Sequence, residues 1–128
     1  MDLPVLVAEW ASKGEGDYKA AVVLNRPRKS PVPHSVCFHC HESAAKYLTA
    51  VLVSHDIRPP NTHDLLDPVS ACIVPDIDAA HWRRYAAVLN PFDETVGYPG
   101  RCVSAADVDM AVDSIRWLRR LVRKKLGL

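Results

Sequence analysis

Two cysteines and two histidines lie within one five-residue stretch of the sequence, and both residue types bind zinc. Cys37 and Cys40 form a C-x₂-C pair, and His39 and His41 are interleaved with them. Thiolate and imidazole groups are the usual ligands of tetrahedral zinc sites. A closed site also needs a second ligand pair, but neither another C-x₂-C nor a downstream H-x₃₋₅-H follows. The stretch is therefore a partial site at most. The histidines that could supplement it are His34, His41 and His81.

The spacing of the two cysteines favours a structural role. Cys37 and Cys40 are three residues apart and share the helical periodicity of the apolar residues that follow them. On a helix they would lie on the apolar face, where cysteine behaves as a small buried hydrophobic residue. A thioredoxin-type redox role is not expected, because the β-α-β context of that motif is missing. We therefore expect core cysteines, with no metal and no other cofactor.

A second candidate for chemistry is the basic end of the chain, whose side chains could bind the phosphates of RNA. Its basic residues are Arg116, Arg119, Arg120, Arg123, Lys124 and Lys125. Trp117, or Tyr98 earlier in the chain, offers a surface for base stacking. The alternative is a solvated helix face, since a helix C-terminus favours basic residues without any ligand. The chain has 16 Lys and Arg against 15 Asp and Glu, so a nucleic-acid function would need such a local patch.

The composition predicts one small cytoplasmic domain that spans residues 1–128. Hydrophobic residues make up 48% of the 128 positions, which is enough for one core. The N-terminal stretch has neither a basic leader nor a long apolar run, so we expect no signal peptide and no membrane anchor. The four cysteines are sparse for a disulfide scaffold, and free thiols in a reducing compartment are expected.

Proline and glycine divide the chain into five predicted helices, of which three come in its first part. The first covers residues 6–24, although Gly14 and Gly16 weaken its continuity. Three prolines predict a loop over residues 25–33. The second helix, over residues 34–56, has the clearest apolar periodicity. A short third helix begins with Thr62 as its N-cap and closes at Pro75.

Two more helices are predicted in the second part. The fourth covers residues 77–89, with Ala80, Tyr85 and either Val88 or Leu89 facing inward, and a loop follows over residues 90–100. The fifth opens with a capping box from Ser104. Its apolar stripe consists of Val108, Ala111, Val112, Ile115, Leu118 and Val122. The chain is therefore predicted to be all-α, with five helices joined by short connections.

The order of three motifs along these helices resembles the HEPN family, a helical bundle associated with nucleotides and RNA. Residues 38–52, FHCHESAAKYLTAVL, are similar to the family's second helix, and Lys46 falls at its lysine position. Residues 60–65, PNTHDL, are similar to its Thr-His-Asp-Leu element. Residues 97–99, GYP, are similar to its Arg-Tyr-Pro element. The resemblance extends over nearly the whole chain and implies an all-α, up-and-down bundle of four to five helices.

Active ribonucleases of that family carry an Arg, four to six intervening residues, and a His. The cation would steady the phosphate while the imidazole handles the 2′-hydroxyl proton. Two pairs fit this spacing, Arg28 with His34 and Arg58 with His63. The resemblance makes Arg58 and His63 the candidate catalytic residues, whereas the first pair fits an ordinary basic loop. The alternative for His63 is a structural residue at a helix N-terminus, with its imidazole satisfied by the backbone or by Asp64.

The resemblance also implies partners and a reaction. We expect the chain to bind RNA or a nucleotide through Lys46, Asp64 and Tyr98, as a homodimer that pairs with a nucleotidyltransferase in a toxin–antitoxin-type system. As an enzyme it would cleave RNA without metal and leave a cyclic phosphate. The alternative is a non-catalytic, dimerising protein-interaction module, because two polar positions of the family are Ala45 and Gly97 here.

Overall fold

The regular structure of the protein is helical in the computed structural model, which describes residues 2–72 and 79–128. Five α-helices follow one another along these residues: α1 (Leu3–Leu24), α2 (Pro33–Ser54), α3 (Leu66–Ala71), α4 (Ala79–Leu89) and α5 (Ala105–Leu126). Two 3₁₀ turns, Asn90–Phe92 and Glu94–Gly97, lie in the predicted loop between α4 and α5. Over the described ranges there is no strand, so the predicted all-α bundle is confirmed.

Helix α1 begins at Leu3, three residues earlier than predicted, because Asp2 caps its first turn. The helix runs unbroken through both of its glycines. Gly14 is buried against α2, where a Cβ would lie 3.0 Å from Tyr47 Cδ2 and 3.3 Å from the Ser43 carbonyl oxygen. The glycine that weakened the sequence prediction therefore allows the two helices to approach closely.

Helix α2 is the central element and packs against each of the other four α-helices. Its apolar face is completely buried and includes Cys37 and Cys40, so their predicted place in the core is confirmed. The helix ends at Ser54, two residues before the predicted end. The chain turns sharply there, since Asp56 adopts a left-handed conformation with φ of 56°.

The start of the third helix was predicted wrongly. Thr62 does not cap it; its hydroxyl accepts a hydrogen bond from the Asp64 amide at 3.0 Å. The Asp64 carboxylate in turn accepts one from the Leu66 amide at 2.9 Å, and the helix begins only at Leu66. Two successive side-chain turns thus take up the residues that were predicted as the first helical turn. The predicted end at Pro75 lies outside the described residues.

Helix α4 buries Leu89, one of the two residues predicted for that position, but is otherwise rotated relative to the prediction. Ala80 is exposed and Tyr85 only partly buried, whereas Trp82, Ala86 and Leu89 pack into the core. These three positions lie at i, i+4 and i+7, so the helix turns its largest apolar side chain, the Trp82 indole, inward. The predicted first residue, Ile77, lies outside the described part of the chain.

Helix α5 agrees closely with the prediction. Ser104 and Asp107 form the capping box, with each side chain bound to the other's backbone amide at 3.0 Å. All six residues of the predicted apolar stripe are buried. The helix ends at Gly127, which takes the left-handed conformation that closes many helices. Helix α5 therefore packs one whole face onto α2.

Candidate functional site

Polar side chains lie on both flanks of the apolar face of α2, and the two flanks have different neighbours. The paired flank faces α1 and α5, and its polar residues are Glu15, Asp17, His39, Lys46, Tyr47, Arg119 and Arg123. The cavity flank faces residues 59–68. Its polar residues are His41, Glu42, Thr49, Thr62, His63 and Asp64.

Glu15 is the centre of the paired flank. Arg119 donates two hydrogen bonds to its carboxylate, from Nε at 2.7 Å and from Nη2 at 2.8 Å. The Tyr47 hydroxyl donates to the same carboxylate, and Arg123 donates to that hydroxyl at 3.2 Å. Burial alone would raise the pKa of Glu15, but these hydrogen bonds and the two guanidinium charges hold it below its ordinary value. The carboxylate is thus ionised at neutral pH and neutralised from within the protein.

Lys46 belongs to the same flank. Its ammonium group pairs with the Asp17 carboxylate, whose other oxygen lies 2.8 Å from His39 Nδ1. The side chain of Asp17 is only 13% exposed, so this pair links α1 to α2 in a partly desolvated setting. The structure therefore places Lys46, a predicted nucleotide-binding residue, in an internal ion pair rather than with His63.

A cavity of about 180 Å³ lies on the cavity flank, between α2 and residues 59–68. Prolines 59, 60 and 68 and leucines 52 and 65 form its apolar walls. The polar residues of this flank complete the lining. His63 and Asp64, two of the predicted site residues, meet here with polar residues of α2 that the sequence did not connect to them.

His41 is the most deeply buried polar group of this flank. The residue is 1% exposed, and both of its ring nitrogens lack a hydrogen-bond partner among the residues that the structure describes. Nδ1 lies 3.4 Å from Glu42 Oε1, close enough for electrostatic attraction but with poor hydrogen-bond geometry. Leaving a buried polar group unsatisfied costs about 1–3 kcal/mol. An imidazole that lines a cavity in this state is suited to receive a partner from a ligand or from water.

Glu42 brings negative charge to the rim of the cavity. Its side chain is 28% exposed, and the adjacent His41 imidazole is the main cause that holds the pKa of the carboxyl below its ordinary value. Burial opposes this effect without overcoming it. Glu42 is therefore an ionised hydrogen-bond acceptor at neutral pH.

His63 lies at the mouth of the cavity. Its side chain is 73% exposed, and Nδ1 lies 3.6 Å from Oε2 of Glu94 in the second 3₁₀ turn. A carboxylate near one ring nitrogen orients an imidazole. The other nitrogen, Nε2, makes no hydrogen bond or ion pair within the described ranges. This arrangement suits a group that takes a proton from a ligand in the mouth and returns it.

Asp64 and Asn90 fix the loop that carries His63. The Asn90 side chain donates to the Asp64 carboxylate at 2.9 Å and accepts from the Leu65 amide at 2.9 Å. The same carboxylate oxygen of Asp64 also accepts the Leu66 amide. Asp64 therefore holds the position of the loop, which differs from the predicted structural alternative in which it would pair with His63.

The other predicted site residues lie outside the cavity lining. Arg58 is exposed in the loop that leads to His63, five residues before it. Tyr98 is 59% exposed and follows the second 3₁₀ turn. Arg28 lies in the loop before α2 and His34 lies in the first turn of α2, and both are exposed. The structure thus places both His63 and Asp64 in the cavity lining and leaves Arg28 and Arg58 on the surface.

Sequence reasoning missed Glu42, Asn90 and Glu94 as functional candidates and considered His41 only as a supplement to a zinc site. Glu94 and Asn90 come from the predicted loop between α4 and α5, and periodicity carries no signal for a contact between that loop and His63. His41 did carry a signal. It precedes Leu48 by seven residues and Leu52 by eleven, so it lies on a buried face of α2 where a polar residue is unexpected.

The cysteine pair does not form a metal site in the described residues. Burial raises the pKa of Cys37 to about 11 and that of Cys40 to about 12. Across residues 2–72 and 79–128, no group of three or more His, Cys, Asp or Glu side chains is placed to hold a metal ion.

The basic end of α5 is less available than the sequence indicated. Arg119 and Arg123 turn toward α1 and bind within the paired flank, so the prediction of one solvated arginine face is wrong for these two. The reason is that α1 crosses beside this flank of α5. Arg120 lies over the Trp117 ring at 5.2 Å, and Trp117 is 44% exposed. Arg116 and Lys124 are exposed as well, so the accessible part of the predicted RNA surface consists of Arg116, Trp117, Arg120 and Lys124.

A family model described as the HEPN domain matches residues 7–125, which is nearly the whole chain. The resemblance predicted from three ordered motifs is thereby confirmed. No curated protein and no solved structure matches the chain. A membrane-spanning helix, long and apolar enough to cross a bilayer, is absent from the described ranges.

Proposed function

Because the chain belongs to the HEPN domain family, we propose that it binds RNA or a nucleotide and cleaves RNA at the mouth of the cavity flank. The observation that supports this most is the placement of His63. Its imidazole is exposed, has Nδ1 3.6 Å from Oε2 of Glu94, and lies at the entrance of a cavity with a polar lining. A ribose in this mouth would present its 2′-hydroxyl to Nε2.

The proposed reaction is a metal-independent transesterification. The 2′-hydroxyl oxygen attacks the adjacent phosphorus and its proton passes to His63. The bond from phosphorus to the 5′-oxygen breaks, and His63 returns the proton to that oxygen. The products are a 2′,3′-cyclic phosphate and a 5′-hydroxyl. Arg58 is the proposed cation for the developing phosphate charge, since its exposed side chain lies in the same loop as His63.

The remaining predicted binding residues take different parts in this proposal. Asp64 acts by positioning the loop through Asn90. Tyr98 offers an exposed ring for stacking on a base beyond the cut site. Lys46 supports α2 through Asp17 and contributes positive charge near Glu42. The cytoplasmic location and the pairing with a nucleotidyltransferase in a toxin–antitoxin-type system remain part of the same proposal.

The test is cleavage of a mixed-sequence RNA in the presence of a chelator. His63→Ala should lower the cleavage rate by about 100-fold or more, the usual contribution of a general acid–base group. His55→Ala is the matched control, because His55 is an exposed histidine after the end of α2 and should tolerate the change. Glu94→Gln should give an intermediate loss. Equal rates for the wild type and His63→Ala would contradict the catalytic role.

A second candidate function is a non-catalytic, dimerising interaction module. It is favoured by large apolar side chains that remain exposed on α1 and α5: Val5 at 53%, Met110 at 55% and Trp117 at 44%. A native mass measurement on the same sample reports whether the chain is a homodimer. A dimer that neither cleaves nor binds RNA would support this second function over the first.

A further inference from the structure

The cavity behind His63 has room for one ring system rather than for a whole nucleotide. Its 180 Å³ is several times the roughly 30 Å³ that one water molecule occupies in the liquid, and less than the roughly 300 Å³ at which pockets for whole drug-sized ligands begin. The proline and leucine walls suit the faces of a planar ring. A nucleobase that leaves a single strand is commonly held in this way, between apolar side chains and with its edge hydrogen-bonded.

The polar lining of the cavity combines two carboxylates with the hydroxyls of Thr49 and Thr62 and the imidazoles of His41 and His63. Glu42 and Asp64 are carboxylates, which only accept hydrogen bonds when ionised. His41 Nδ1 faces Glu42, so a proton on that nitrogen leaves Nε2 as a further acceptor without a partner in the described residues. This lining disfavours a phosphate, whose oxygens are also acceptors and carry negative charge. It favours a neutral ring with several N–H donors.

We propose that the cavity is a nucleobase pocket that selects bases rich in N–H donors, with guanine as the best fit. The N1–H and N2–H₂ groups of guanine stand side by side and can donate together to one carboxylate, the role assigned here to Glu42. Uracil has one N–H between two carbonyl oxygens, so it would direct its carbonyl oxygens at the carboxylate oxygens of the lining. The bound base also supplies the partner that the buried His41 imidazole lacks.

This inference deepens the proposed function and rests on it. A base inside the cavity leaves its own ribose in the mouth, beside His63, and its phosphate outside. The phosphate then lies on the side of the exposed loop that carries Arg58, away from the carboxylates of the lining. The pocket would therefore determine which nucleotide provides the 2′-hydroxyl, and RNA would be cut on the 3′ side of guanosine.

The experiment compares the binding of guanosine 3′-monophosphate and uridine 3′-monophosphate to the full chain by calorimetry. The wild type should bind the guanosine nucleotide about tenfold more tightly or better, the range expected for one good bidentate contact. Glu42→Gln keeps the shape of the side chain but replaces one acceptor oxygen by a donor, so it should abolish the preference. Glu9→Gln, the same change at an exposed position of α1, should keep it.

His41→Leu serves as a second variant, and it should weaken guanosine nucleotide binding while the protein stays folded by thermal unfolding. Equal affinities for the two nucleotides in the wild type would overturn the inference, as would a preference that survives in Glu42→Gln. Binding of neither nucleotide would do the same and would indicate a cavity filled by water only.

Failure of this test is distinguishable from failure of the proposed function. If the chain cleaves mixed-sequence RNA in a His63-dependent way but shows no base preference, only the base pocket is refuted. If the chain shows a Glu42-dependent preference for the guanosine nucleotide but cleaves RNA equally well without His63, the catalytic proposal is refuted and the pocket stands as a binding site.

Discussion

The two flanks of α2 each carry a histidine beside a carboxylate, and they differ in how these groups are satisfied. On the paired flank, His39 is 31% exposed and lies 2.8 Å from the Asp17 carboxylate. On the cavity flank, two residues further along, the His41 side chain is 2% exposed and lies 3.4 Å from Glu42 without a hydrogen bond. The more deeply buried histidine is thus the less well satisfied one.

This difference separates a structural role from a binding role. Buried polar groups that only stabilise a fold are normally satisfied within it, as Glu15 is by Arg119 and Tyr47. Groups that await a ligand remain without a partner until it binds, and the protein loses stability in the meantime. We therefore propose that the paired flank stabilises the fold and that the cavity flank binds the ligand.

The largest effect that tests this comparison is expected on the paired flank, for Glu15→Gln. The change leaves Arg119 without its ionised partner in a site where Glu15 is only 17% exposed, so the free energy of unfolding should fall by about 2 kcal/mol. Chemical denaturation measures it. Asp113→Asn is the control: Asp113 is 67% exposed, lies 3.9 Å from Arg116, and should change stability by less than about 0.5 kcal/mol.

The effect of Glu15→Gln should also depend on pH. Because the pKa of Glu15 is lowered in the folded state, its stabilisation is complete above the unfolded-state pKa and is lost as the pH falls through the folded-state value. The difference between the wild type and the variant should therefore be constant near neutral pH and shrink below the usual glutamate pKa of about 4.3. A difference that persists in strong acid would show that packing, rather than charge, is responsible.

A smaller effect, of opposite sign, is expected on the cavity flank. His41→Leu replaces an unsatisfied buried imidazole by an apolar side chain, so stability should be unchanged or rise by up to about 1 kcal/mol. His39→Leu, the same substitution two residues away, removes a satisfied contact with Asp17 and should lower stability by about 1 kcal/mol. Thermal unfolding of the two variants side by side tests the contrast. A clear loss of stability in His41→Leu would return His41 to a purely structural role.

Local patterns in the sequence predicted most of the fold. The capping box at Ser104 and the apolar stripes of α2 and α5 depend on neighbours within a few residues, and the sequence shows these directly. The predictions failed where packing between helices decides the outcome. Gly14 was expected to weaken the continuity of α1, but in the structure it allows α1 to pack closely against α2. The rotation of α4 follows from burial of Trp82, which its neighbours determine.

The candidate site was predictable only in part for the same reason. His63 and Asp64 were identified because they are adjacent in a recognisable motif. The Glu94 carboxylate lies 3.6 Å from the His63 imidazole, although Glu94 comes 31 residues later in the chain. Arg119, which donates hydrogen bonds to Glu15, comes 104 residues after it. Contacts over such distances leave no periodic trace in a single sequence. Lys46 matched the family motif, but the sequence did not show that it forms an ion pair with Asp17, which lies on another helix.

The most direct test of the division between the two flanks is a titration of the protein with single-stranded RNA, followed through the imidazole ¹⁵N resonances of its six histidines. If the cavity flank is the binding site, the resonances of His41 and His63 should shift together and saturate at the same RNA concentration. Those of His39 and His55 should stay in place. RNA binding that shifts His39 or His55 and leaves His41 and His63 unchanged would contradict the assignment.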